Sequence, residues 1–244
     1  MTEPQLNDRF SLEMDRALDP SVYGPLLRVE NALSVYELEN LKAYISREES
    51  TYGEDVQELP GRTRSLNLYE RYGFTTNLAR YCLEQYRGLV FTMDDMVTEA
   101  MIEDKWKWSD PNIAEEPLVV HETLRCSEPG VDYKSHKDLA SKKLTCLIYL
   151  DPRFSGNGTV FHGKDDNKNT EYNWKYNTGY IFKPNSYSFH SYYNNLAQNR
   201  YVYMFNLYVD QKMEKVGVRK TMEVTQEFDM TEQFEKSVDK KIPI

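Results

Sequence analysis

The chain has 244 residues, with 30 Lys and Arg against 39 Asp and Glu, a formal charge of −9. That balance excludes a groove gripping nucleic-acid phosphates, which needs clustered positive charge. The 40% hydrophobic and 13% aromatic content, with 19 Tyr, 10 Phe and 3 Trp, marks a folded chain inclined to β structure. No apolar run approaches the ~20 residues of a membrane span. The polar, acidic opening MTEPQLNDRFSLEMD has neither signal-peptide nor transit-peptide character. Cys82, Cys126 and Cys146 lie far apart and form no CxxC pair, which argues against a disulfide framework or structural zinc. The expectation is a globular protein of a reducing compartment, the cytoplasm.

In chain order, residues 1–22 read as a loosely ordered lead-in and 26–30 as a short strand. Ser34, with Glu37 three residues later, forms a capping box. It opens a helix to about residue 49 with Leu38, Leu41, Tyr44 and Ile45 on its apolar side. Residues 62–70 suit a strand, and 77–86 and about 89–103 suit two further helices. The Met-rich face of the second reads as core packing, and Trp106 and Trp108 read the same way. After Trp108 come short β-prone runs at 118–126, 143–150, 159–162, 180–183, 187–192 and 200–209. Turn residues separate them, among them Glu128-Pro129-Gly130 and Gly156-Asn157-Gly158. A charged tail follows from Asp210, where Asp229 or Thr231 starts a final amphipathic helix.

Helices first, then six or more short strands, predict an α+β fold: a jelly-roll core with supporting N-terminal helices. The reading is one domain over 1–244, with helical support over about 25–108, a core over about 118–209 and a polar extension over 210–244.

All four histidines lie in the β half. His136 and Asp138 stand two residues apart, so on an extended chain they share a face. With one more histidine they make a two-His-one-carboxylate set, which leaves three metal positions open and suits non-haem Fe(II). An H-x-D alone is a weak signal. His190, in a late strand, supplies the second imidazole, and Arg200 follows ten residues later. An arginine beside such a site offers a planar, bidentate cation for a carboxylate.

Taken together these segments resemble the Fe(II)/2-oxoglutarate-dependent dioxygenases, most closely the prolyl 4-hydroxylase-like branch. Ser127-Glu-Pro129-Gly130-Val-Asp-Tyr133-Lys-Ser-His136-Lys-Asp138 is similar to that branch's Y-x-P-G-x-x-Y-x-x-H-x-D and departs from it at Ser127. Thr145-Cys-Leu-Ile-Tyr149-Leu resembles its T-x-x-x-Y-L strand, Gly156-Asn-Gly158-Thr159-Val-Phe161 its glycine turn, and His190 with Arg200 its last element. The resemblance spans about residues 25–210.

It implies a double-stranded β-helix with Fe(II) on His136, Asp138 and His190, and with 2-oxoglutarate and O₂ as cosubstrates. Arg200 and Tyr149 are implied as holders of the distal 2-oxoglutarate carboxylate, with Tyr133 also on the cosubstrate. Parity puts Thr145 and Asn206 on the same interior faces, as secondary candidates. The implied activity couples 2-oxoglutarate decarboxylation to oxidation of a second substrate by hydroxylation, desaturation or ring closure. Halogenation is not implied, since related halogenases carry Gly or Ala where Asp138 stands.

Arg62, Arg64 and Arg125 are candidate substrate-side cations, and favour a small, carboxylate-bearing, amino-acid-like metabolite. Two alternatives stay open: a prolyl hydroxylase acting on a protein, and a non-catalytic jelly-roll binding module. His162 reads as a pocket-rim or structural residue and His121 as a hydrogen-bonded core residue. The sequence gives no oligomeric state.

Overall fold

Short strands broken by Gly, Pro and Asn cannot extend one flat sheet, and in the second half of this chain they alternate between two. The computed structural model describes residues 10–14, 18–51, 63–68, 72–94, 96, 118–138, 141–151, 158–164, 169–185 and 187–209. Its elements are β1 (Ser11–Met14), α1 (Pro20–Tyr23), β2 (Leu26–Glu30), α2 (Val35–Thr51), β3 (Thr63–Asn67), α3 (Asn77–Glu84) and α4 (Tyr86–Asp94). The strands that follow are β4 (Leu118–Ser127), β5 (Asp132–His136), β6 (Lys142–Tyr149), β7 (Thr159–Phe161), β8 (Thr170–Tyr172), β9 (Thr178–Phe182), β10 (His190–Tyr193) and β11 (Arg200–Val209).

The larger sheet runs β1-β2-β9-β6-β11-β4-β3 and the smaller β5-β10-β7-β8. From β4 to β11 the chain visits large, small, large, small, small, large, small, large, always antiparallel. That winding is a jelly-roll core, and β1, β2 and β3 widen its large sheet. Within the lead-in two elements appear that were not expected: Ser11–Met14 pairs with β2, and Asp19 caps α1 by accepting from Ser21 N at 2.9 Å. β5 and β8 escaped the sequence reading because they are short and polar, and only cross-strand pairing defines them.

Alternation divides the core in two. Leu144, Cys146 and Ile148 of β6 and Tyr201, Tyr203, Phe205 and Leu207 of β11 pack outward on Leu38, Leu41, Leu78, Cys82, Leu89 and Met93 of the helices. Tyr149, Val202, Phe161, Tyr172, Tyr180, Phe182 and Trp174 pack between the sheets. Buried polar groups join the helices to the strands. Ser34 N donates to Glu37 Oε2 at 2.6 Å and Glu37 N to Ser34 Oγ at 3.2 Å, the capping box. Glu37 Oε1 also accepts from Asn77 N at 2.7 Å, so one carboxylate serves the N-termini of α2 and α3.

Gly130 and Gly158 sit where a side chain would be strained or would clash. Gly130 turns β4 into β5 with φ +80°, and a Cβ on Gly158 would lie 1.7 Å from the Tyr172 carbonyl oxygen. The tail from 210, with its expected helix, and Trp106 and Trp108 lie outside the described residues. Among the described residues no helix is long and apolar enough to cross a membrane, and the three cysteines are free.

Candidate metal centre

The β5–β10 ladder sets His190 directly opposite His136. Their ring centroids are 4.3 Å apart. Asp138, just past the end of β5, completes a set whose ligand atoms lie within 4.8 Å of one another. Each imidazole is oriented from behind. His136 Nδ1 donates to the Lys134 carbonyl at 3.0 Å, and His190 Nδ1 to the Ser188 carbonyl at 2.9 Å. A carbonyl only accepts, so both Nδ1 atoms carry the proton and both Nε2 lone pairs are left for a metal.

Burial, and after it His190, pushes the His136 imidazole down to about 3. Burial likewise lowers His190. Both rings are thus neutral near pH 7, as ligation requires. Burial acts to raise Asp138, but Lys142 and then the two histidines outweigh it and hold the carboxyl well below its ordinary range. A dication on two neutral imidazoles and one ionised carboxylate fits this donor set, and the set is that of non-haem Fe(II).

The set opens into a cavity lined also by Arg125, Tyr133, Thr159, Tyr180, Tyr192 and Arg200. Arg200 is its most unusual wall. The residue is 1% exposed, yet its Nε and Nη2 find no hydrogen-bond partner among the described residues. Rings hold it instead: Cζ lies 4.1 Å from the Tyr192 centroid, 5.0 Å from Trp174 and 5.9 Å from Tyr149. A buried guanidinium with orphan donors is costly unless an anion arrives to accept from it.

The expected site residues divide among several places. Tyr133 lines the cavity, stacked on Tyr192 at 5.3 Å and edge-on to His136 at 4.5 Å. Tyr149 does not offer its hydroxyl to the cavity. That oxygen accepts from Thr159 N at 3.0 Å and faces Thr159 Oγ1 and the Tyr172 carbonyl, both at 3.3 Å. Its ring backs Arg200, while Thr159 and Tyr180 reach the cavity wall, joined by a 2.9 Å hydrogen bond.

Thr145 and Asn206 lie at the opposite end from Arg200. Thr145 Oγ1 donates to Asp138 Oδ2 at 2.7 Å and sits 2.9 Å from Asn206 Oδ1. Along β11 Asn206 is about 20 Å from Arg200 at the rise of a strand, so the two cannot share one carboxylate. Arg125 lines the cavity. Arg64 pairs with Cys126 on β3, one step from Arg125 in register, and its side chain and Arg62 lie outside the described residues.

His162 sits between Asn169 Oδ1 at 2.6 Å and Ser191 Oγ at 2.7 Å, a structural role. His121 corrects the expectation of a bonded core histidine: its Nε2 is buried with no hydrogen-bond partner among the described residues, and burial lowers the imidazole to about 4.

Sequence reasoning missed Lys142 and Tyr192. Lys142 is buried and its Nζ donates to Asp138 Oδ1 at 2.6 Å. Tyr192 brings its hydroxyl to 2.7 Å from the oxygen of Ser127, the residue at which the motif departs from the family pattern. Neither carries a motif of its own. Asn194 steadies this end by donating to the carbonyls of Ser127, Glu128 and Gln198 at 2.9, 3.0 and 3.0 Å.

No family model and no curated protein sequence matches the chain. Solved structures do. The chain is similar to a prolyl hydroxylase from Trichoplax adhaerens, in complex with a hypoxia inducible factor peptide fragment, at 11% identity and TM-score 0.49 over 78% of this chain and 86% of that one. It is similar to a Pseudomonas putida prolyl-4-hydroxylase at 14% identity and TM-score 0.45, over 78% and 95% of the two chains. A third is HygX from Streptomyces hygroscopicus, with nickel and 2-oxoglutarate bound, at 8% identity and TM-score 0.47, over 78% and 84%.

Proposed function

We propose that this chain is an Fe(II)/2-oxoglutarate-dependent dioxygenase that oxidises a small, carboxylate-bearing, amino-acid-like metabolite. One observation carries the reading: a buried Arg200 with unsatisfied donors shares a cavity with the His136, Asp138 and His190 ligand set. A dicarboxylate with a metal-chelating keto acid at one end and a free carboxylate at the other answers both features.

Bound iron would supply the oxidative chemistry, coupling O₂ reduction and 2-oxoglutarate decarboxylation to oxidation of the substrate. The chain's own residues do the rest. His136, Asp138 and His190 hold the metal on one side. Arg200, backed by the rings of Tyr149, Trp174 and Tyr192, takes the distal carboxylate through its free N–H groups. Tyr133 and Tyr192 wall the cosubstrate. The apolar layer of Phe161, Phe182 and Val202 keeps water from beneath it.

The substrate reading is supported by charge. Among the described residues the cavity wall carries Arg125, Lys142 and Arg200 beside one acid, Asp138, with which Lys142 pairs. With Arg200 assigned to the cosubstrate, Arg125 is the candidate on this wall to meet a substrate carboxylate. Arg62 and Arg64 stand as further candidates from the sequence.

The deciding experiment measures succinate release with Fe(II), 2-oxoglutarate and O₂, against a library of amino acids, polycarboxylates and proline-containing peptides. Stimulation by an anionic metabolite is expected. Stimulation by peptides alone would make this a protein hydroxylase, and no succinate under any condition would make it a binding module.

A further inference from the structure

Strict alternation along β6 does not send Lys142 into the cavity. Thr145 and Leu147 line the cavity, so parity would aim Lys143 inward and Lys142 out. The ladder breaks first. β11 pairs Leu207 with Leu144 and then Tyr208 with Lys142, with a register irregularity between them. Two residues of β6 thus answer one step of β11, which is a bulge, and it turns Lys142 to the inner face. There its side chain is 3% exposed against 4% for Asp138, and Nζ sits 2.6 Å from Oδ1.

A metal-bound histidine usually donates to a carboxylate or carbonyl, which makes it more basic, whereas a metal-bound carboxylate accepts from donors. An ammonium is a donor that also brings a full positive charge to the site. We propose that Lys142 is a positioning residue that sets the charge of the metal centre. It holds Asp138 before metal arrives, and afterwards keeps the centre at the charge of the bare dication, so that the site takes up a dianionic cosubstrate. The inference rests on the dioxygenase reading above.

The geometry and the charge both lead there. Lys142 takes one lone pair of Oδ1 and Thr145 one of Oδ2, so each oxygen has one left and the carboxylate is held in a single orientation. A dication with two neutral imidazoles and one carboxylate has lost one positive charge, and Lys142 restores it. 2-Oxoglutarate brings two negative charges. Arg200 meets the distal one, and the centre with Lys142 meets the other.

The test uses the full chain with Mn(II) in place of iron and N-oxalylglycine in place of 2-oxoglutarate, both titrated calorimetrically. Lys142→Met should bind Mn(II) at least as tightly as wild type, because a repelling cation is gone. It should bind N-oxalylglycine about tenfold more weakly, or worse, as expected on losing a charged partner in a buried site. Lys142→Arg should restore the analogue affinity. If Lys142→Met fails to fold, Lys142→Gln keeps a donor for Asp138 without the charge and carries the same expectations.

Mn(II) binding weakened about tenfold in these variants, the effect of an ordinary outer partner, would make Lys142 a plain prop and overturn the proposal. Unchanged analogue affinity would overturn it too. Wild-type protein that takes up neither Mn(II) nor the analogue would instead remove the dioxygenase reading, and this inference with it.

Discussion

The guanidinium carbon of Arg200 lies 4.1 Å from the centre of the Tyr192 ring, and the Tyr192 hydroxyl lies 2.7 Å from Ser127 Oγ. Three strands, β11, β10 and β4, thus meet around one buried cation. It is held by ring faces, and among the described residues its Nε and Nη2 have no acceptor.

Arg200→Ala should weaken cosubstrate binding by about 2–5 kcal/mol, the cost of breaking a buried charge-assisted contact. Arg200→Lys should also fail, because an ammonium lacks the planar fork. Calorimetric titration of N-oxalylglycine into Mn(II)-loaded protein reads both. Arg200→Met should leave the ligand-free protein as stable as wild type or more so, since it removes an uncompensated buried charge. A lower melting temperature for that variant would mean the aromatic contacts outweigh the orphan donors.

Removing a ligand should empty the metal site. His136→Ala and His190→Ala are expected to lose at least about 100-fold in Mn(II) affinity, the upper end of what even outer partners cost. His162→Ala should keep one metal per chain. Equilibrium dialysis with metal analysis decides it, and a fully loaded His190→Ala protein would refute the assignment.

Acid should destabilise the metal-free protein through its buried imidazoles. In the fold His136 is lowered to about 3 and His121 to about 4, and His190 is lowered too, against an unfolded value near 6.5. Below that value the unfolded chain binds protons that the folded chain refuses. Stability is therefore full above about pH 6.5 and falls as pH drops towards the folded values. Melting temperatures from pH 7.5 to 4.5 measure the slope. His121→Phe should flatten it without changing metal uptake, because it replaces an orphaned nitrogen by an apolar edge. An unchanged slope in that variant would exclude His121 as a contributor.

Glu122 should matter to the fold and not to the metal. It accepts from Thr76 N at 2.9 Å, Thr76 Oγ1 at 3.1 Å and Tyr203 O–H at 2.5 Å, and from the Thr75 hydroxyl. It thereby ties the start of α3 to β4 and β11. Burial raises its carboxyl above the ordinary range. Tyr203→Phe should cost about 1–3 kcal/mol of stability in denaturant unfolding. Its Mn(II) affinity should match wild type, since Tyr203 packs on the helix side of the large sheet.

Much of this protein is local in the chain and could be read there. Ser34 and Glu37 announced a helix start because a capping box spans four residues. The alternating faces of β6 and β11 followed from the two-residue period. His136 and Asp138 stand together by their spacing alone, and His190 and Arg200 lie in two late β-prone runs, ten residues apart. Other features exist only through partners distant in sequence. β5 and β8 are strands because neighbours pair with them. Tyr149 has the right parity, but its hydroxyl is taken by Thr159 across the core. Asn206 shares a face with Arg200, yet strand length places it beside Thr145 instead. Lys142 faces Asp138 because a bulge against β11 reverses the alternation that local periodicity would impose. Only the register of two strands, set by the whole large sheet, decides where that break falls.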